Sequence, residues 1–287
     1  CGHHRDMPPI KVPDELRRAF LLGAATLPLA AVLADKALAA GAAATLTDVS
    51  VPVAGGRGLT GSLAIPDGSG KAPAVVIVHE WWGLNDQIKA VAAEMAQQGF
   101  LALAAGLCGG VAEDSEAARG LVHAVDPAAA TAGLTAAVAF LRRHERSTGK
   151  VATMGWCFGG GWALNTAIAT PVEATVVYYG NVKKTAAELK PLKGPVLGHF
   201  GTLDKSINAD MVAGFEKSMR EAGNRFAFAV TDHASGKVLG SSSYHDILPA
   251  VKRVEIGWTW YAKSVQRSHV NTTCKLMLLT HAFETLG

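Results

Sequence analysis

The chain has 287 residues, 49% of them hydrophobic, and a formal net charge of +3 at pH 7. That length accommodates one large α/β domain, and no Pro/Ser-rich linker divides it. The small charge and the scatter of the basic residues exclude the electrostatic footprint of a nucleic-acid binder, so the expected partner is a small molecule.

Residues 1–39 are expected to stand outside the fold. Cys1 to Asp6 precede Met7 and read as an upstream extension. Arg17-Arg18 lead into an apolar run reaching about Leu33, and Ala37-Leu38-Ala39 offers the small residues a signal peptidase needs. The run is too short, and too interrupted by Pro28, for a membrane span of roughly 20 apolar residues. Paired arginines ahead of a modestly apolar core resemble a twin-arginine export signal. A periplasmic, monomeric mature chain beginning near Ala40 is therefore expected, with no stable membrane span. It would keep Cys108, Cys157 and Cys274, an odd number that cannot all pair within one chain. Cys157 is expected to be the unpaired thiol.

Thr45 to Val53 and Leu59 to Ile65 read as an edge hairpin around Gly55-Gly56-Arg57-Gly58. Ala74-Val75-Val76-Ile77-Val78-His79 suits a parallel strand buried on both faces. It leads into Glu80-Trp81-Trp82-Gly83-Leu84-Asn85, where Asn85 or Asp86 caps a helix from about Ile88 to Gln98. Phe100 to Ala104 is the next buried strand, and Gly106 to Asp126 is less regular, with an acidic patch at Glu113, Asp114 and Glu116. Pro127 opens a helix to about Arg143, whose basic end suits the helix dipole. Further strands are predicted at Val151 to Met154, Ala174 to Tyr179, Pro195 to Phe200 and Arg225 to Val230, with helices from Trp162, at about Ala209 to Ala222, and at about Tyr244 to Ala262. This alternation predicts a parallel or mostly parallel sheet with helices on both faces, and an active site at the carboxyl ends of the strands. No role is assigned to the tail from about Gln266.

Gly155-Trp156-Cys157-Phe158-Gly159 has the G-x-C-x-G pattern of a nucleophile elbow, with cysteine in place of the commoner serine. Glycines two residues to either side leave room for a tight strand-to-helix turn. The following helix presents its positive end to the thiol and favours the reactive thiolate. Three more residues fall at predicted strand ends: Glu80, Asp204 and His233. Nucleophile, acid and histidine then run in the α/β-hydrolase order. Individually, Cys157 could be a small buried hydrophobe, Glu80 a helix cap, Asp204 a turn residue and His233 a loop histidine.

Val78-His79-Glu80-Trp81-Trp82-Gly83-Leu84-Asn85, Gly155-Trp156-Cys157-Phe158-Gly159-Gly160, His199-Phe200-Gly201-Thr202-Leu203-Asp204 and His233 together resemble the dienelactone hydrolase family of α/β-hydrolases, over about Thr45 to Lys263. The resemblance implies ester or lactone hydrolysis, with Cys157 as nucleophile, His233 as base and Asp204 orienting it. It also implies that Glu80 stands beside the thiol, and that backbone N–H groups of Phe158 and Trp81 form the oxyanion hole. His245 competes with His233, because Ala234-Ser235-Gly236-Lys237 replaces the family's usual sequence after its histidine. Ala105-Gly106-Leu107-Cys108-Gly109-Gly110 lacks the arginine that many members use on an anionic substrate, and Lys237 falls where some carry a second one. Lys237 and Trp82 are the candidate substrate-binding residues. No cofactor is implied, and His79 with Glu80 lacks the spaced histidine of a metal site. A general small-ester carboxylesterase, a thiol redox protein using Cys157 and Cys108, and a non-catalytic binding protein are the alternatives; the absence of a C-x-x-C pair weighs against the redox reading.

Overall fold

A computed structural model of the chain describes residues 13–21, 29–201, 203–223, 226–231, 238–248 and 253–284. The chain divides into two compact units, residues 1–159 and 160–287.

The first unit contains helices α1 (Asp14–Leu21), α2 (Leu29–Ala34), α3 (Lys36–Ala43), α4 (Asp86–Gln97), α5 (Ser115–His123) and α6 (Pro127–Arg143). Its strands are β1 (Thr47–Val51), β2 (Leu59–Ala64), β3 (Ala72–Val78), β4 (Leu101–Gly106) and β5 (Ser147–Trp156), in the order β1-β2-β4-β3-β5. The β-branched run forms β3, which is parallel to both β4 and β5, and the β1/β2 hairpin lies antiparallel at the edge. Residues 74–78 and 101–105 are all buried, as a central parallel pair requires. Ile88, Val91 and Ala92 of α4 pack on Val75, Ile77, Ala102 and Ala104, the alternate residues that share one face of the sheet. Helix α6, with Leu134, Ala137, Val138 and Leu141 buried, packs along β3, β4 and β5.

Helix starts follow their caps. The Asn85 side chain accepts from the Ile88 N–H (3.1 Å) to begin α4, and Asp126 accepts from the Ala129 N–H (2.7 Å) with Pro127 at the first position of α6. The acidic patch expected in an irregular segment instead caps α5, Asp114 accepting from the Glu116 and Ala117 N–H groups. Much of the predicted leader is helical. Leu38, Ala39 and Ala42 of α3 pack with Val32, Ala90 and Ala93. Asp35 caps α3 and is ion-paired with Arg17 at 3.0 Å.

Helix α7 (Phe158–Ala169) leads into the second unit, which contains β6 (Ala174–Tyr178), α8 (Ala186–Leu189), β7 (Val196–His199), α9 (Ala209–Glu221), β8 (Phe226–Thr231), β9 (Val238–Leu248), β10 (Arg253–Tyr261) and α10 (His269–Glu284). Strands β6, β7 and β8 are parallel neighbours, and β9 and β10 follow antiparallel. This corrects the helix predicted over 244–262. Val254, Ile256, Trp258 and Trp260 recur at every second residue, the period of a strand, and β-branched and aromatic side chains favour the pleated surface. The tail forms α10, whose Leu278 and Ala282 bury against Tyr244. The Lys275 Nζ donates to the Thr259 hydroxyl at 2.7 Å. Helix α7 begins at Phe158, four residues before the start read from the sequence.

Both units thus build the expected α/β class from strands parallel at their centres and antiparallel at one edge. Among the described residues, no single helix is long and apolar enough to cross a membrane. Leu103 is fully buried in β4. Leu103→Ala should therefore cost about 2–5 kcal/mol of stability in urea unfolding, and a loss below about 1 kcal/mol would contradict its place in the core.

Candidate active site

Strand β5 ends at Trp156 and α7 begins at Phe158, so the whole turn is Cys157. Its φ of 53° lies in the left-handed region, which costs a non-glycine residue about 1–3 kcal/mol and persists only where the surroundings fix it. Two things fix it here. On one side β5 pairs in register with β3, from Val151 opposite Ala74 to Gly155 opposite Val78. On the other, α7 approaches the end of β3 so closely that a Cβ on Gly159 would lie 2.3 Å from the Val78 carbonyl oxygen and 2.4 Å from that of His79. Cys157 is half-buried, in no disulfide, and at the positive end of α7. Phe158 stands in the first turn, where an N–H group has no acceptor within the helix.

The end of β3 is built around His79, a residue for which the sequence suggests only a weak metal-site reading. Its side chain is fully buried. The Nδ1 atom lies 2.5 Å from the Glu80 carbonyl oxygen, and the Leu107 N–H donates to Nε2 at 3.0 Å. A carbonyl only accepts and an amide N–H only donates, so the ring is the neutral tautomer with its proton on Nδ1. Burial pushes its pKa below the ordinary histidine value, against the smaller opposing effect of the Glu80 bond. The imidazole also stacks on the Phe158 ring, with centroids 6.0 Å apart.

From Glu80 the chain turns sharply. The Asn85 N–H donates to the Gly83 carbonyl at 2.9 Å. Gly83 has a φ of 87°, and a Cβ there would lie 2.1 Å from the Gly110 carbonyl oxygen, so only glycine fits. The loop after β4 holds this turn: the Ala112 N–H donates to the Trp82 carbonyl at 2.9 Å, and Gly83 forms a bridge with Val111. The Trp81 and Trp82 rings meet edge to face at 4.9 Å. Glu80, Trp81 and Trp82 are all half-buried.

Five predicted site residues, Glu80, Trp81, Trp82, Cys157 and Phe158, therefore gather at the carboxyl ends of adjacent parallel strands in the first unit. Asp204 belongs to the second unit, in the loop after β7. Its Oδ1 accepts from the Ser206 N–H (2.7 Å) and the Ile207 N–H (3.0 Å). These bonds, that of Ile207 foremost, hold its carboxyl below the usual range. At the end of β7 the His199 ring stacks on Tyr178 of β6 at 4.6 Å. His233 and Lys237 lie outside the described residues. His245 stands within β9, across from Glu255 of β10. Among the described residues, no group of three or more His, Cys, Asp or Glu side chains is placed to hold a metal ion.

Comparison with known proteins gives the same architecture a family. Residues 59–237 match the model of the dienelactone hydrolase family. The carboxymethylenebutenolidase of Pseudomonas putida is 31% identical over 160 residues, which cover 52% of this chain and 68% of that protein. A crystal structure from Klebsiella pneumoniae that carries the dienelactone hydrolase name superposes with a TM-score of 0.57 at 27% identity, over 62% of this chain and 81% of that one. A dienelactone hydrolase-like promiscuous phosphotriesterase from metagenomic libraries shares the fold, with a TM-score of 0.56 at 22% identity over 82% of this chain and 98% of that one. The α/β-hydrolase architecture, the elbow at Cys157 and the family match lead to one conclusion: the chain belongs to the dienelactone hydrolase family and is a hydrolase acting on ester or lactone bonds.

Proposed function

We propose that hydrolysis proceeds through a triad of Cys157, His233 and Asp204, with Glu80 beside the thiol and the Trp81 and Phe158 N–H groups stabilising the oxyanion. The observation that carries this reading is the strained backbone of Cys157 at the start of α7. Strain of that kind is retained where a nucleophile must project from a strand-to-helix turn. His233 accepts the thiol proton as Cys157 attacks the carbonyl carbon, then delivers it to the departing alkoxide. Water, deprotonated by the same imidazole, hydrolyses the thioester, releasing the acid and restoring the thiol. Asp204 fixes the tautomer of His233 through Oδ2, while its Oδ1 is engaged by the turn. In the resting enzyme Glu80 keeps the thiol protonated, which protects it from oxidation.

Carboxymethylenebutenolidase activity, named for the Pseudomonas putida relative, comes first among the proposed reactions, and general small-ester hydrolysis is the alternative. The segment 105–110 carries no arginine, so carboxylate recognition falls to Lys237, a point charge in place of a bidentate fork. Trp82 supplies apolar contact. His233 is preferred to His245 as base because His245 stands within a strand, whereas such bases sit on loops after strands.

Export by a twin-arginine route is proposed as well, supported by Arg17-Arg18 ahead of the apolar run. Changing both to lysine should hold the chain in the cytoplasm on fractionation, and an unchanged periplasmic fraction would contradict the route.

Cys157→Ala should abolish turnover of p-nitrophenyl acetate, as should alkylation by iodoacetamide. His233→Ala should lose at least about 100-fold in kcat, within the range for a general base, with His245→Ala close to wild type. The reverse pattern would move the base to His245, and undiminished hydrolysis by Cys157→Ala would sink the triad.

A further inference from the structure

We infer that His79 is a positioning residue for acylation: its buried imidazole fixes the peptide that carries the Trp81 N–H, and so orients an oxyanion donor without touching the substrate. The inference rests on Cys157 being the nucleophile.

The Glu80 carbonyl and the Trp81 N–H belong to one planar trans unit, in which they point in opposite directions. The Nδ1–H of His79 holds the carbonyl end, so the N–H end is directed away from the buried ring. Rotating that peptide would break the bond and strand a donor in a fully buried side chain, at a cost typical of an unsatisfied buried polar group. Accepting a hydrogen bond at the carbonyl also polarises the unit and strengthens its N–H as a donor.

The ring is itself immobilised. Its Nε2 takes the Leu107 N–H, its face stacks on Phe158, and its own backbone carbonyl abuts Gly159. Phe158 carries the second proposed donor, so both residues of the oxyanion hole lean on one imidazole. The same geometry separates His79 from the base. Both ring nitrogens are committed to backbone groups, so His79 has no lone pair with which to take a proton from Cys157.

The test uses the full chain and p-nitrophenyl acetate. Glutamine offers both a donor and an acceptor where the imidazole has them, and leucine offers neither. His79→Leu should lose about 100- to 1,000-fold in kcat, the usual loss for one oxyanion donor, with KM near the wild-type value. Its Cys157 should react with iodoacetamide at the wild-type rate, because that displacement forms no oxyanion. His79→Gln should recover most of the lost kcat. Full kcat in His79→Leu, or a loss in His79→Gln as deep as in His79→Leu, would overturn the inference. If the leucine variant does not fold, 15N spectra of the histidine-labelled wild-type chain decide: a proton on Nδ1 supports the assignment and a proton on Nε2 refutes it. Hydrolysis that survives in Cys157→Ala would instead remove the nucleophile reading, a result independent of both His79 variants.

Discussion

The candidate site depends on how closely α7 can approach the end of β3. A helix whose second residue carried any side chain would meet two carbonyl oxygens there, and Gly159 alone removes that obstacle. Close approach leaves a single residue to turn the chain from β5 into α7, and that residue is forced to a positive φ. The cost is met by the pairing of β5 with β3 and by the buried run of β3 itself. Strain at Cys157, its place at the positive end of a helix and its nearness to the loop after β3 are one constraint seen from three sides.

The same contact explains why a histidine is tolerated in the core. His79 directly follows β3 and is fully buried, a position where a charged ring would be penalised heavily. Two backbone partners make the neutral form complete: one accepts from Nδ1, and the other donates to Nε2. A second proton on the ring would set donor against donor at Leu107, so burial and hydrogen bonding oppose charging from the Nε2 side. The loop after β4 then joins in, since Leu107 holds the imidazole while Val111 and Ala112 hold the turn at Trp82-Gly83. Two loops and one helix start are thereby locked together without an ion pair among these contacts. The backbone groups of this region are thus held in fixed orientation, the preorganisation that the proposed oxyanion hole requires.

Where the sequence was legible, local chemistry and tertiary demand agreed. Ala74 to Val78 is continuously apolar, and β-branched from Val75 on, and it forms the doubly buried strand that such a run implies. Asn85 and Pro127 announce helices that begin where their capping chemistry allows. Other segments misled for identifiable reasons. Asp114 was hidden among acidic neighbours, though its side chain is an N-cap. The β9 strand contains Gly240 and three serines, Ser241 to Ser243, which have weak strand preference, and this masks the alternation of Val254, Ile256, Trp258 and Trp260 in its partner. Helix α10 is apolar around much of its circumference and shows no clean stripe, since Leu276, Met277 and Phe283 are exposed while Leu278 is buried. The part of the candidate site in the first unit was legible as residue types at the ends of β3 and β5. The role of His79 was not, because it comes from two hydrogen bonds, one reaching a residue 28 positions away.

The most direct test of covalent catalysis at Cys157 is mass spectrometry of the wild-type chain quenched in acid during turnover of p-nitrophenyl acetate, followed by peptide mapping. One acetyl group on the peptide containing Cys157, lost again on a longer chase without substrate, is the expected result. Turnover with no acyl group at Cys157, or with the acetyl group on a serine elsewhere, would contradict the account.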